Sequence, residues 1–406
     1  MKTKILIAAS LAVLGAGTSL AETRPGPPLM TLDQGVLTGE GATLLRAELP
    51  GAQFILIGED HGFADPAELA LALSRDARAH GVSHHVLETG PLTRDRLTDV
   101  LETGGPAELG TLLAGRPIAM PFVNMLEDAQ LADYFVDEAG EVSDPLWGVD
   151  QEFIGAPLLH LETLKTLATT EAQTALVKKW LESEQAAMTS RNLGALMLTS
   201  AKAEDFAALN AAFEGNTEAL EIVSALAESA EIYRLYFEGA NYTSNAVRID
   251  LMRRQFLEDY HASENKAPRA LFKMGFNHLG HGTTPVNTLD LGSLTEGLAA
   301  ANGLGVLRIA VLPLEGRQTT TNPSADDLFP VVEQRSEEVA ALLAVLEISE
   351  EAIPREGYAV IAMEGAGRQL EQAGIAALSE QNRFLVLGYD FLITTRGARP
   401  ATPLAR

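Results

Sequence analysis

The chain has 406 residues, 46% of them hydrophobic, enough to bury a sizeable core. Its 55 acidic residues against 30 lysines and arginines leave a net charge of −25, which repels nucleic acid and anionic lipid and excludes a polyanion partner. It has no cysteine, so disulfides, thiolate nucleophiles and thiolate ligands are excluded, and any metal must be held by His, Asp or Glu.

Residues 1–21 start basic at Lys2 and Lys4, continue through an apolar stretch from Ile5 to Gly17, and end on the small residues Ser19 and Ala21. This is the anatomy of a signal peptide, and the stretch is too short to cross a bilayer. It predicts a periplasmic or secreted protein with no membrane span after cleavage. Losing the two lysines moves the net charge to −27 (28 basic against 55 acidic residues).

After the leader, apolar runs alternate with helical patterns, which predicts an α/β fold with a mainly parallel sheet flanked by helices. Strands are expected at residues 53–57, 84–87, 146–149, 269–274, 305–312, 358–363 and 384–387, with 391–394 an eighth strand or a continuation past a bend at Gly388. Helices are expected at 67–79, 126–138, 337–346 and 368–378. Between residues 155 and 243 the alternation stops and the pattern is helical throughout. The expected division is a first part of the α/β core at 22–154, an all-helical insertion at 155–243 and a second part of the core at 244–406.

Four apolar runs end in polar residues of one kind. FILIG leads into Glu59-Asp60-His61, HVL into Glu88, LWGV into Asp150-Gln151-Glu152, and LFKMGF into Asn277-His278, with His281 three residues on. In open α/β sheets, ligands bind along the edge formed by the carboxyl ends of the strands. Parallel strands would therefore bring Glu59, His61, Glu88, Asp150 and His278 into one cleft.

A histidine oriented by a carboxylate is a general base for water, and a second histidine or an asparagine can hold an oxyanion. The same residues also suit a divalent metal, with His61, His278 and Glu59 as ligands. Spacing alone does not separate the two. No other cofactor is indicated.

Common catalytic signatures are absent: there is no Gly-x-Ser-x-Gly, HExxH or Walker motif. Ser263 and Lys266 have serine–lysine spacing but read as a loop before Pro268, and Gly365-Ala-Gly367 reads as a tight strand–helix turn. His84 and His85 read as structural. His80, His160 and His261, on helical patterns, read as surface or capping residues.

The ordered set resembles the erythromycin esterase-like superfamily, which also takes in haem-uptake proteins of the ChaN kind and TIKI metalloproteases. The resemblance runs through IGEDHGFADPAEL, VLETGP, WGVDQ, the helix segment Val247-Arg248-Ile249-Asp250-Leu251-Met252, FKMGFNHL and GYDFLITT. It implies a hydrolase acting on a small-molecule ester or lactone, with His61 activating water and Glu59, Glu68 or Glu88 supporting it. It further implies that His278 lies across the cleft, and that Arg248 and Asp250 pin the insertion to the site. Haem or metal binding, and metal-dependent peptidase activity, are the other functions found in that superfamily.

Overall fold

The computed structural model describes residues 26–322 and 327–405, so the expected leader at 1–21 lies outside the described residues. The strands are β1 (Leu29–Asp33), β2 (Val36–Thr38), β3 (Ala52–Glu59), β4 (Val82–Leu87), β5 (Leu146–Gly148), β6 (Arg269–Gly275), β7 (Gly305–Val311), β8 (Glu315–Thr319), β9 (Val331–Arg335), β10 (Tyr358–Ala362) and β11 (Phe391–Thr394). Nine of them form one sheet in the order β2-β1-β10-β11-β7-β3-β6-β4-β5. From β5 to β11 every pairing is parallel, while β10, β1 and β2 join antiparallel at one edge. The fold is α/β with a mainly parallel sheet.

Strand alternation sorts the core into two layers. On one face Ile55, Ile57 and Leu271 pack with buried residues of the helices Asp65–Arg78 and Leu126–Asp137. On the other, Phe54, Leu56, Ala270, Phe272 and Met274 pack against Met252 and Phe256 of the helix Asn241–Ala262. The helices between Pro157 and Phe237 close a third core of their own around Val177, Leu209, Phe213 and Leu226.

Three features depart from the expected elements. Residues 384–387 are not a strand but the middle of a helix, Glu380–Gly388. Ser379 caps it by accepting from the Asn382 N–H, and a four-residue apolar run has no periodicity to tell a strand from a buried helix. Strands β1 and β2 are short edge strands joined through Gln34 and Gly35, both with positive φ. The ribbon β8–β9 stands off the main sheet with mostly exposed or half-exposed residues, so it shows no apolar alternation in sequence.

His160 is not a surface residue. It is buried and pairs with Glu152, their Nε2 and Oε2 lying 2.8 Å apart. Glu152 lies four residues past the end of β5 and caps the helix Pro91–Leu113, accepting the Leu92 N–H at 3.0 Å and the Thr93 hydroxyl at 2.5 Å. His160 begins the helical region, so this one carboxylate ties it to the sheet. Glu152→Gln keeps the shape but removes the charge, and it is expected to cost about 1–3 kcal/mol of stability in urea unfolding. An unchanged midpoint would make the pairing incidental.

Candidate active site

The strand order places β3, β6, β4 and β5 side by side with the same direction, so their carboxyl ends share one edge of the sheet. Registry aligns Glu59 with Gly275 and Leu87 with Lys273. Glu59, Glu88 and Gly275 therefore meet at the lip. The glycine matters: a Cβ at Gly275 would sit 3.2 Å from His61 Nε2 and 3.6 Å from Glu88 Oε2, in the space where those two groups face each other.

His61 Nδ1 lies 2.8 Å from Glu59 Oε1, and its Nε2 lies 3.7 Å from Glu88 Oε2. His278, on the turn Phe276–Leu279 after β6, lies 2.8 Å from Asp290 Oδ2 through Nδ1 and 3.5 Å from Glu88 Oε1 through Nε2. Two imidazoles, each held by its own carboxylate, thus point Nε2 at opposite oxygens of Glu88. Glu88 is fixed in turn by the Gly275 N–H at 2.7 Å and by Arg248 at 3.0 Å.

Arg248 also grips Asp150 through Nε at 2.9 Å and through its terminal nitrogen, and Gln151 donates its backbone N–H to the same carboxylate at 2.7 Å. The guanidinium joins the helix Asn241–Ala262 to the ends of β4 and β5.

Other candidate residues stand apart from this cluster. Asp250, two positions and about 200° round the helix from Arg248, is exposed. Glu68 pairs with Arg399, bonding it at 3.0 Å. His281 is on an exposed loop and donates its backbone N–H to Gly388. Asn277, next to His278, is half-buried.

Two groups went unmarked in the sequence. Lys273, in the middle of β6 and 4% exposed, donates to Glu59 Oε1 at 2.6 Å and pairs with Asp128 Oδ1 at 2.5 Å. A lysine inside the apolar run LFKMG demands buried acidic partners, and that was the available signal. Asp290 orients His278 but lies twelve residues beyond it in a polar loop, where nothing distinguishes it.

Electrostatics separate the roles of the two histidines. Burial opposes charge on His278, but Asp290 and Glu88 outweigh it and push its pKa up to about 10, so it is an imidazolium at neutral pH. Burial also opposes charge on His61, whose side chain is 39% exposed, yet Glu88 and the bond to Glu59 raise it above the ordinary value of 6.5. Burial would push Glu88 up, but His61, His278 and Arg248 together hold it well below the usual carboxylate range. By contrast, burial drives His85 down to about 3, consistent with a structural, neutral ring.

The alternative donor set for a metal does not fit. Glu59 Oε1 is already shared between His61 Nδ1 and the Lys273 ammonium, and a second cation there would be repelled by the first. Among the described residues no group of three or more His, Asp or Glu side chains is disposed to hold a metal ion.

No family model and no curated protein sequence matches the chain. Solved structures do. An erythromycin esterase, a mutant of EreC in its open conformation, superposes with a TM-score of 0.55 at 15% identity, covering 88% of this chain and 94% of the other. A protein from Bacillus cereus has a TM-score of 0.55 at 12% identity, covering 92% and 96%. A succinoglycan biosynthesis protein has a TM-score of 0.53 at 10% identity, covering 89% and 92%. The chain has an erythromycin esterase-like fold along nearly its whole described length.

Proposed function

We propose that the chain is a hydrolase of carboxylic esters or lactones in which His61 is the general base. The observation that carries the reading is the pair of Nε2-presenting imidazoles, each anchored by a carboxylate, on either side of Glu88. One is half-exposed, with a pKa raised above the ordinary imidazole value by Glu88 and Glu59, while the other is already a cation. That is an acid and a base with their pKa values set apart.

In this mechanism Glu59 holds the His61 Nδ1–H and leaves Nε2 free to take a proton from water. The resulting hydroxide oxygen bonds to the carbonyl carbon, and the electron pair of the C=O bond moves to the oxygen. The His278 imidazolium donates to that oxyanion. Collapse re-forms the C=O bond and breaks the bond to the alcohol oxygen, which takes the proton from His61. Glu88 faces both imidazoles and stabilises the standing charge on His278 and the one that forms on His61. The likeness to the fold of an erythromycin esterase supports ester or lactone chemistry.

The signs of the pKa shifts make the reading testable. His61 must be neutral to act, so kcat/KM should rise with pH through a value above 6.5. His278 must be charged, so the profile should fall again near pH 10. A panel of ester and lactone substrates assayed from acid to alkaline pH checks both limbs. Hydrolysis that stays constant down through pH 5 would remove His61 as the base.

A further inference from the structure

The loop from Ala114 to Met125, between the helices Pro91–Leu113 and Leu126–Asp137, carries a feature that the mechanism above does not use. Phe122 has φ of 66°, the left-handed region, which is an outlier for a bulky side chain. Its ring lies on the imidazole of His61, centroids 4.3 Å apart at 34°. Phe153 meets the other part of the same ring edge-on at 5.0 Å, and the Arg248 guanidinium sits 5.8 Å over Phe153.

The strained backbone is held from both sides. Met120, Val123 and Asn124 are buried, and Asn124 donates its amide to the Pro117 carbonyl at 2.9 Å. The Leu404 N–H binds the Asn124 carbonyl and the Leu126 N–H binds Thr402. Strain of this sort persists only where the surroundings over-determine it, and it gathers at functional sites. Phe122 itself is only half-buried, so packing of its own side chain is a weak reason to keep it.

We infer that Phe122 is a positioning residue for His61, a clamp on the face of the imidazole; this rests on the reading of His61 as the base. Glu59 bonds the ring at one nitrogen, and Glu88 faces the other only at 3.7 Å, so a single hydrogen bond from a side chain holds the imidazole. The phenyl ring blocks the face and restrains it further, so Nε2 is aimed at the place where water must lie. It also keeps bulk water off one side of the base. Small losses of aim at a reacting group are costly in rate.

The test compares Phe122→Gly, which removes the ring and relieves the backbone, with Phe122→Tyr, which keeps the ring. For Phe122→Gly we expect kcat to fall at least about tenfold with KM little changed, a melting temperature no lower than wild type, and recovery of kcat in Phe122→Tyr. Nitrogen NMR of labelled histidines supplies a readout that needs no substrate. In the wild type His61 should be a single Nδ1–H tautomer, and in Phe122→Gly it should move toward the averaged signal of a free ring.

An unchanged His61 signal in Phe122→Gly overturns the inference, whatever the activity. A rise in KM with kcat intact also overturns it, making Phe122 a substrate wall instead. A shifted signal in a protein that hydrolyses no ester would uphold the clamp and sink the proposed reaction.

Discussion

With His61 as the proposed base, His61→Ala is expected to lower ester hydrolysis by about 10²–10⁴-fold, the range supplied by a general base, and to leave the melting temperature near that of the wild type. The second half of the expectation follows from exposure. The side chain is 39% exposed and rests on one carboxylate, one more distant carboxylate and one phenyl face. Removing it leaves Glu59 with Lys273 and Glu88 with Arg248, so neither acid is stranded. His278→Ala should behave differently, because it strips Asp290, which is buried, of its cationic partner. Rate assays with differential scanning calorimetry separate the cases, and a large fall in the melting temperature of His61→Ala would mark a structural histidine.

Lys273→Met should be the most destabilising single change at the site, by about 3–5 kcal/mol, because it leaves Asp128 buried without a counter-charge and Glu59 with His61 alone. Burial pushes Glu59 up, but Lys273 and His61 outweigh it and hold it below its ordinary value of 4.5. Burial lifts Asp128 to about 6 even with the lysine present. The sign for Glu59 is that of a depressed carboxylate: its contribution is present above about pH 4.5 and is lost as pH falls through the folded value.

In Lys273→Met the deficit should therefore be greatest at and above neutral pH and shrink as both acids take up protons, so that it is smaller at pH 5, below the value of about 6 that Asp128 has even with the lysine present. Activity should fall as well, since a protonated Glu59 no longer holds the His61 Nδ1–H. Urea unfolding at pH 7 and pH 5 measures the difference. A deficit that does not change with pH would mean that the methionine fails for reasons of shape alone.

These two expectations rest on residues of unequal visibility. His61 was legible because a strand of buried, apolar residues ends abruptly in Glu59-Asp60-His61, and burial cannot explain that ending. The same signal marked Glu88, Asp150 and His278 on three other strands. Continuous apolar runs and period-3.6 patterns made the parallel strands and the long helices readable, since a buried strand is apolar throughout and a covering helix shows one apolar face.

The misreadings occurred where local pattern carries little information. Residues 384–387 are four apolar residues in a row, equally at home in either element until Ser379 is seen capping a helix. The β8–β9 ribbon packs little of its surface and so has no apolar alternation to display. Yet it positions the site: Gln318 on β8 donates to the His61 carbonyl at 2.8 Å, and the Thr319 N–H binds the Gly62 carbonyl.

Composition, alternation and the polar strand ends by themselves determined a mainly parallel α/β sheet and named the four groups, Glu59, His61, Glu88 and His278, that meet at its edge. Which oxygen faces which nitrogen was decided only by the tertiary structure. Strand order put β6 between β3 and β4, so that Gly275 opens the space between His61 and Glu88. Packing of the helix Leu126–Asp137 against the sheet brought Asp128 to Lys273, and the turn after β6 brought His278 to Asp290. Such pairings join residues far apart in the chain, and their energies depend on burial and distance, neither of which a linear sequence contains.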